Sequence, residues 1–253
     1  MRITQAHISD SVSSFPWLEK LGLTPYANPD QPAIFFGMYR PTDLGTLYLH
    51  KDIAVVRWCG VDSLNITRPA LFTDPLVHNI SPFAHVVNKL SSHGISCKKI
   101  GIENIYSLSS VKPYGDKVYI YMPRPDEYYG LSVINEIVRR GHNVIIGDGS
   151  IPRSEWDAGK ADEIYDQCYA GLVLSRYVGG GGSVVELGLK GRMCITNVLD
   201  TPNAIPWQTI DDIILALDTL KGDTVERAMR ISEKTYAALS GAGWLNTEYY
   251  VSH

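Results

Sequence analysis

The chain has 253 residues, a hydrophobic content of 45% and a formal net charge of -4. This composition predicts a packed core, and the length suits one large domain or two small ones. The acidic balance, with no basic run longer than a pair, argues against a surface that grips nucleic acid, and no apolar stretch approaches the roughly 20 residues of a membrane helix.

Taken in order, Met1 to Ile8 reads as a first strand, without the apolar centre of a signal peptide. Phe15 to Leu21 has helical spacing and stops at Gly22. Thr24 to Pro32 is a turn-rich loop, and Ala33 to Tyr39, AIFFGMY, is a strand. Pro41 and Thr42 open a helix, Ile53 to Trp58 is the next strand, and Gly60-Val61-Asp62-Ser63 leaves its end. Pro82 to Ser92 places Phe83, Val86, Val87 and Leu90 on one helical face, closed by Gly94, and Ile95 to Ile102 follows as a strand. Alternating strands and helices predict a parallel sheet covered on both sides.

Glu103 to Asp116 loses periodicity and gains Ser, Pro and Gly, which places a domain boundary there: 1–113 and 114–253. The alternation then restarts. Lys117 to Met122 is a strand, Pro123 to Tyr129 a polar loop containing Arg124, and Leu131 to Val138 a helix ending at Arg139, Arg140 and Gly141. Asn143 to Ile146 is a strand leading into Gly147-Asp148-Gly149, and Ser154 to Gln167 a helix with Trp156, Ala161 and Ile164 turned inward. Two helices, Asp211 to Leu220 and Thr224 to Leu239, precede the tail GWLNTEYYVSH.

Between them lies the stretch with most chemistry in it. Gly171 to Leu174 is a short buried strand, Gly179 to Gly182 are four glycines, and Ser183 to Leu189 is a helix around Glu186 that stops at Gly191; Met193 to Thr196 is the next strand. The glycine loop therefore lies at the carboxyl end of a strand, where bare N–H groups at a helix start suit a phosphate. Val184 breaks the third position of a dinucleotide fingerprint, and no ATPase P-loop occurs. Glu186, a carboxylate in apolar company, has two readings: acceptor for a ribose diol, or ion pair with Lys190 one turn on. Arg124 and Arg176 suit phosphate through their planar forks. Tyr177 offers a face for a base, and Asp148 either joins the crevice or stabilises its own turn.

On the other half, Asp62 is either an acceptor-side base or a helix cap before Leu64. Asp43 and Asp74 read as turn or helix-start residues, and His78, near a strand end, is a lesser base candidate. The histidines show no metal-ligand spacing. Cys59, Cys97, Cys168 and Cys194 form no CxxC pair and read as free thiols of a cytosolic, hence cytoplasmic, protein. No Asp-x-Asp triplet occurs, which favours a site that holds a diphosphate without a metal.

With the glycines before it, VVELGLKGRMCITN resembles the nucleotide-sugar loop of GT-B glycosyltransferases. AVVRWCGVDSL resembles the N-terminal-domain strand that ends in Trp and then Gly-x-Asp, and SPFAHVVNKLSSHGISCKKI its following helix and strand. The tail, two helices and then GWL, is similar to the segment that crosses back to the first domain. The resemblance implies an α/β architecture of two Rossmann-like domains facing a cleft, with acceptor in the first and donor in the second. Gly181, Gly182, Ser183 and Val184 would meet the diphosphate, Glu186 the ribose, and Arg124 would sit in a phosphate-contacting loop. The donor-side set is then Arg124, Asp148, Arg176, Tyr177, Gly180, Gly181, Gly182, Ser183, Val184 and Glu186, with Asp62 on the acceptor side. Val178 stands where many retaining members carry the earlier of two glutamates, and the first strand-to-helix turn lacks the Gly-rich loop of many members. The expected reaction is metal-independent sugar transfer from a nucleotide-diphosphate sugar to a hydroxyl, with no cofactor beyond that substrate. The alternatives are a nucleotide-sugar epimerase, a non-catalytic nucleotide-sugar or phosphate-binding protein and, against the charge balance, glycosylation of DNA bases.

Overall fold

The computed structural model describes residues 1–13, 16–64, 66–103, 105–106, 110–152, 155–175, 181–198, 201–240 and 243–251. They divide into two compact units, Met1–Ile105 with Ser240–His253, and Tyr106–Leu239. The break falls inside the loop at 103–116, earlier than the 113/114 position. The stretch from Ser240 onward belongs to the first unit, which the 114–253 range leaves out but the tail's resemblance to a segment that crosses back implies.

The first unit is built on six parallel strands: β1 (Gln5–Ile8), β2 (Thr24–Pro25), β3 (Ala33–Phe36), β4 (Ala54–Arg57), β5 (Val77–Ser81) and β6 (Cys97–Lys99). Their order is β2-β1-β3-β4-β5-β6. Every residue of β3 and β4 is buried, as expected of parallel strands with helices on both faces. Helices α1 (Trp17–Leu21), α2 (Pro41–Leu49) and α3 (Ala84–Ser91) connect β1 to β2, β3 to β4 and β5 to β6, α2 starting on Pro41. The predicted strand from Ile95 to Ile102 is two pieces, β6 and a short β7 (Ile102–Glu103).

The tail completes this unit. Ile3 N–H donates to the Leu245 carbonyl at 2.7 Å and Thr247 N–H to the Met1 carbonyl at 2.8 Å. Trp244 is buried, its ring edge-on to Phe36, and Tyr250 stacks on His78 at 4.9 Å. The first sheet thus takes part of its cover from the far end of the chain.

The second unit has five parallel strands: β8 (Lys117–Tyr121), β9 (Asn143–Gly147), β10 (Cys168–Val173), β11 (Met193–Thr196) and β12 (Ala204–Ile205), in the order β12-β11-β10-β8-β9. Its helices are α4 (Leu131–Arg139), α5 (Ala161–Asp166), α6 (Gly181–Leu189), α7 (Ile210–Leu220) and α8 (Val225–Ala238). Val118, Ile120, Leu172 and Ile195 of the sheet pack with Ile134, Ile137, Ile213 and Leu217 of the helices in one core. The predicted helix from Ser154 to Gln167 is interrupted: Trp156–Lys160 form a wide π-helical turn containing Gly159 at φ 117°, and α5 follows.

Two glycines set how closely the layers of this unit approach. A Cβ on Gly171 of β10 would lie 2.2 Å from Leu187 Cδ1, so α6 packs directly on the bare strand. Gly191, at φ 76°, ends α6 where a Cβ would lie 2.3 Å from the Ala228 carbonyl oxygen of α8. Replacing Gly191 by alanine combines left-handed strain with a backbone clash and is expected to cost about 1–3 kcal/mol. Urea unfolding checks this: an unchanged midpoint contradicts the packing described.

Candidate active site

In the second unit the chain runs outward from β8 to β9, then returns to the other side of β8 for β10. The strand order therefore reverses between β8 and β10. In open parallel sheets, ligands bind outside the carboxyl ends of the strands at such a reversal. β8 delivers Met122, Pro123 and Arg124 to this edge, and β10 delivers Leu174, Ser175 and, after the glycine loop, the start of α6. Arg176, Tyr177 and Gly180 lie outside the described residues.

Helix α6 opens with Gly181 and Gly182, both partly exposed, so its first-turn amides carry no side-chain shield. Four N–H groups at any helix start lack intrahelical partners, and the helix dipole adds partial positive charge there. Ser183 is buried, its Oγ 3.4 Å from the Tyr119 hydroxyl. Val184 is buried with its carbonyl accepting from Asn203 Nδ2 at 2.9 Å, so only its N–H is available to a ligand role.

Glu186, one turn further on, is partly buried. Its Oε2 accepts from the Trp156 indole N–H at 3.1 Å and from the Tyr165 hydroxyl at 2.9 Å. The alternative pairing with Lys190 is not what forms. Lys190, its side chain 2% exposed, binds Asp166 at 2.6 Å and Asp162 at 3.3 Å, and donates to the Ser110 carbonyl at 3.0 Å. Arg192 likewise donates to the carbonyls of Lys112 and Pro113. Both cations are spent on holding the 110–113 segment to the second unit, because a buried charge must be paired or hydrogen-bonded.

Arg124 is 69% exposed, 3.6 Å from Asp126 and with its guanidinium 5.8 Å from the Tyr129 ring centre. An exposed pair of this length is worth little and leaves the arginine easy to recruit. Asp148 stabilises its own turn by accepting from Ser150 N–H at 2.9 Å; the Ser150 side chain first, then this N–H, hold its pKa low. This is the turn role, one of the two readings open for Asp148.

In the first unit Asp62 is 4% exposed. Its Oδ1 accepts from Gly60 N–H at 2.7 Å and Ser63 N–H at 3.1 Å; its Oδ2 accepts from Met38 and Cys59 N–H, each at 3.1 Å. One carboxylate thus ties the turn after β3 to the turn after β4. Burial raises its pKa, against the lowering pull of the amides of Cys59, Met38 and Gly60. Beneath it Arg57 forms a two-pronged pair with Glu103, at 2.5 and 2.7 Å, with Trp17 and Phe83 beside the guanidinium. Asp43 caps α2 through Tyr39 and Arg40 N–H and binds His7 and Ser9. His78, packed under Tyr250, has its pKa lowered by burial.

No sequence pattern marks Trp156, Tyr165 or Tyr119, which lie around Glu186, as functional; Trp156 is legible only as an inward helix residue. Among the described residues, no group of three or more His, Cys, Asp or Glu is placed to hold a metal ion, and no helix is long and apolar enough to cross a membrane.

No protein-family model and no curated protein matches this chain. Solved structures do. TarM matches over 93% of this chain with a TM-score of 0.58 at 14% identity, and this chain covers 55% of TarM. The chain has the fold of GT-B glycosyltransferases. A point mutant of S. aureus TarM, in complex with fondaparinux, alpha-GlcNAc-glycerol and UDP, also matches over 93% of this chain, at TM-score 0.53 and 14% identity, with 56% of that protein covered. The pneumococcal O-GlcNAc transferase GtfA, in complex with UDP and GlcNAc, gives 0.49 at 13% identity over 89% of this chain and 58% of its own. The chain thus spans little more than half the length of the solved structures it matches. On this GT-B fold, the resemblance of the glycine loop and the strand-order reversal indicate the same edge of the second unit.

Proposed function

We propose that this chain binds a nucleotide-diphosphate sugar at the β8/β10 edge of its second unit and transfers the sugar to a hydroxyl acceptor without a metal ion. One observation supports the reading: the strand order of the second sheet reverses between β8, which leads into the loop carrying Arg124, and β10, which leads toward the glycine-opened helix α6 that carries Glu186. The first-turn amides of Gly181, Gly182, Ser183 and Val184, with Arg124, take the diphosphate. Arg176, Tyr177 and Gly180 belong to this reading through the sequence alone, and Asp148 shapes its own turn after β9. Donors fixed in place before reaction stabilise the charge that builds on the leaving diphosphate. Glu186 accepts from the ribose hydroxyls.

The first unit takes the acceptor. Asp62 acts there by holding two edge turns in register, since four backbone donors already occupy its oxygens. UDP, present in the TarM complex, is the first nucleotide to test. All four cysteines are free, which suits a reducing compartment such as the cytoplasm.

The test follows release of nucleoside diphosphate from UDP-, GDP- and ADP-sugars in EDTA against a panel of hydroxyl acceptors. The expected result is turnover of at least one donor that rises with acceptor and persists in EDTA. Donor binding without turnover across the panel would favour a non-catalytic carrier. An absolute need for a divalent cation would remove the metal-free mechanism.

A further inference from the structure

β9 is an outer strand at a place where a doubly wound sheet ordinarily continues. In such a sheet a third strand lies outside the second. Here β8 and β9 fill the first and second places, and the chain then passes through α5 to β10 on the far side of β8. Among the described residues, no strand pairs with β9 on its outer side.

Edge strands invite pairing with another chain, and proteins blunt them by shortness, lysine or proline. The other edges of the two parallel sheets follow that rule. β2 and β12 have two residues each, and β6 has three, two of them Lys98 and Lys99. β9 has five, Asn143–Gly147, with neither charge nor proline. Asn143 is exposed and the other four are partly exposed, whereas every residue of β10 is buried.

The pairing with β8 fixes which backbone groups of β9 are free. The Gly147 carbonyl accepts from Met122 N–H at 3.0 Å, so it points toward β8. Backbone groups alternate sides along a strand, so those of Ile145 and Asn143 also turn toward β8, and those of Val144 and Ile146 turn outward. Such an edge is complementary to itself. A two-fold axis at Ile145 sets Val144 of one copy opposite Ile146 of the other, and each of these pairs exchanges both N–H···O bonds. This register overlaps the whole strand.

Charge favours the same antiparallel sense. The amino end of β9 follows Arg139 and Arg140, which share one carboxylate, Glu136, and Arg140 has only an exposed 3.5 Å contact to Asp211 besides. The carboxyl end runs into Asp148, which is exposed. Antiparallel copies bring the Asp148 end of each toward the arginine end of the other, while parallel copies would set like ends together.

We infer that β9 is a self-association edge, along which two copies of this chain pair antiparallel through Asn143–Gly147 and extend the second sheet across a two-fold axis. The pairing uses up both free edges, so assembly stops at two. A strand-edge contact falls at the weak end of specific interfaces, so the dimer forms with rising concentration rather than at all concentrations.

Sedimentation velocity over a concentration series tests this on wild type and Val144→Pro. Proline there removes an outward N–H and none that β8 uses, a setting in which a strand tolerates it. Circular dichroism and a thermal melt check that the variant folds. Wild type is expected to move from one chain toward two as concentration rises. Val144→Pro is expected to need at least about tenfold more protein for the same dimer fraction, since each copy loses one hydrogen bond. Ile145→Cys and Asn143→Cys are compared under mild oxidation, with wild type as the control for the partly exposed Cys59 and Cys97. Residues facing each other in a non-hydrogen-bonded antiparallel pair come within disulfide reach. Ile145→Cys is therefore expected to give a covalent dimer, while Asn143→Cys, whose copies lie at opposite ends of the paired strands, stays at the wild-type level. Monomer at every concentration overturns the inference. So does a dimer that Val144→Pro leaves unchanged, which would lie on another surface, or equal cross-linking at positions 143 and 145. If Val144→Pro does not fold, the two cysteine variants decide.

Discussion

Replacing Glu103 by alanine is expected to destabilise the first unit by about 3–5 kcal/mol, because it leaves the buried Arg57 guanidinium without its partner. Arg57 and Glu103 have side chains 6% and 2% exposed, so water cannot stand in for the lost carboxylate. Burial alone would lower the Arg57 pKa, but the adjacent Glu103 charge holds it raised, so the arginine does not escape by losing its proton. The double replacement Arg57→Met with Glu103→Leu is expected to recover most of the loss, since a well-packed apolar pair of similar volume often matches a buried ion pair. Urea unfolding followed by tryptophan emission checks both, with Trp17 and Trp58 reporting from this unit. A single-variant loss below 1 kcal/mol would show that the pair is not what holds the end of β4. The consequence reaches function because β4 leads into the turn that Asp62 ties to Met38.

Glu186→Ala is expected to weaken nucleoside diphosphate binding by about 3 kcal/mol, or roughly 100-fold, through loss of two hydrogen bonds from ribose hydroxyls to a charged acceptor. The melting temperature without ligand is a separate readout, because the variant also leaves the Trp156 and Tyr165 donors without their acceptor. Titration with UDP, GDP, ADP and CDP gives the affinity directly. An affinity within twofold of wild type would remove Glu186 from the site, whatever the variant does to stability.

The parallel-sheet class was legible because strands covered on both faces leave long apolar runs, as in Ala33–Phe36 and Cys168–Val173. β5 was harder to read, because its sequence VHNIS is polar. Asn79 is buried there as a hub, accepting from the Trp58 indole and donating to the Phe72 and Ser96 carbonyls. β2 and β12 have two residues each and carry no periodicity. The helical pattern from Ser154 to Gln167 concealed a break because composition does not reveal that Gly159 takes a positive φ. The tail's return to the first unit was legible only through the GT-B resemblance; its contacts with Met1 and Ile3 span nearly the whole chain, beyond any local pattern.

For the candidate site, spacing located Glu186 and the start of α6, since a glycine run at a strand end marks a place as well as a composition. It left the partner of Glu186 undecided between a ligand and Lys190. Helical spacing puts those two side chains on one face, but only the fold shows Lys190 drawn toward the acids of α5. Trp156 and Tyr165 were invisible as site residues because a polar edge on a buried ring gains its meaning from what it faces.

The most direct measurement is a crystal structure of this protein with bound nucleoside diphosphate, grown without divalent cations. The account predicts the diphosphate against the first-turn amides of α6 and the ribose hydroxyls on Glu186. A diphosphate bound away from the β8/β10 edge, or a ribose turned away from Glu186, would contradict it.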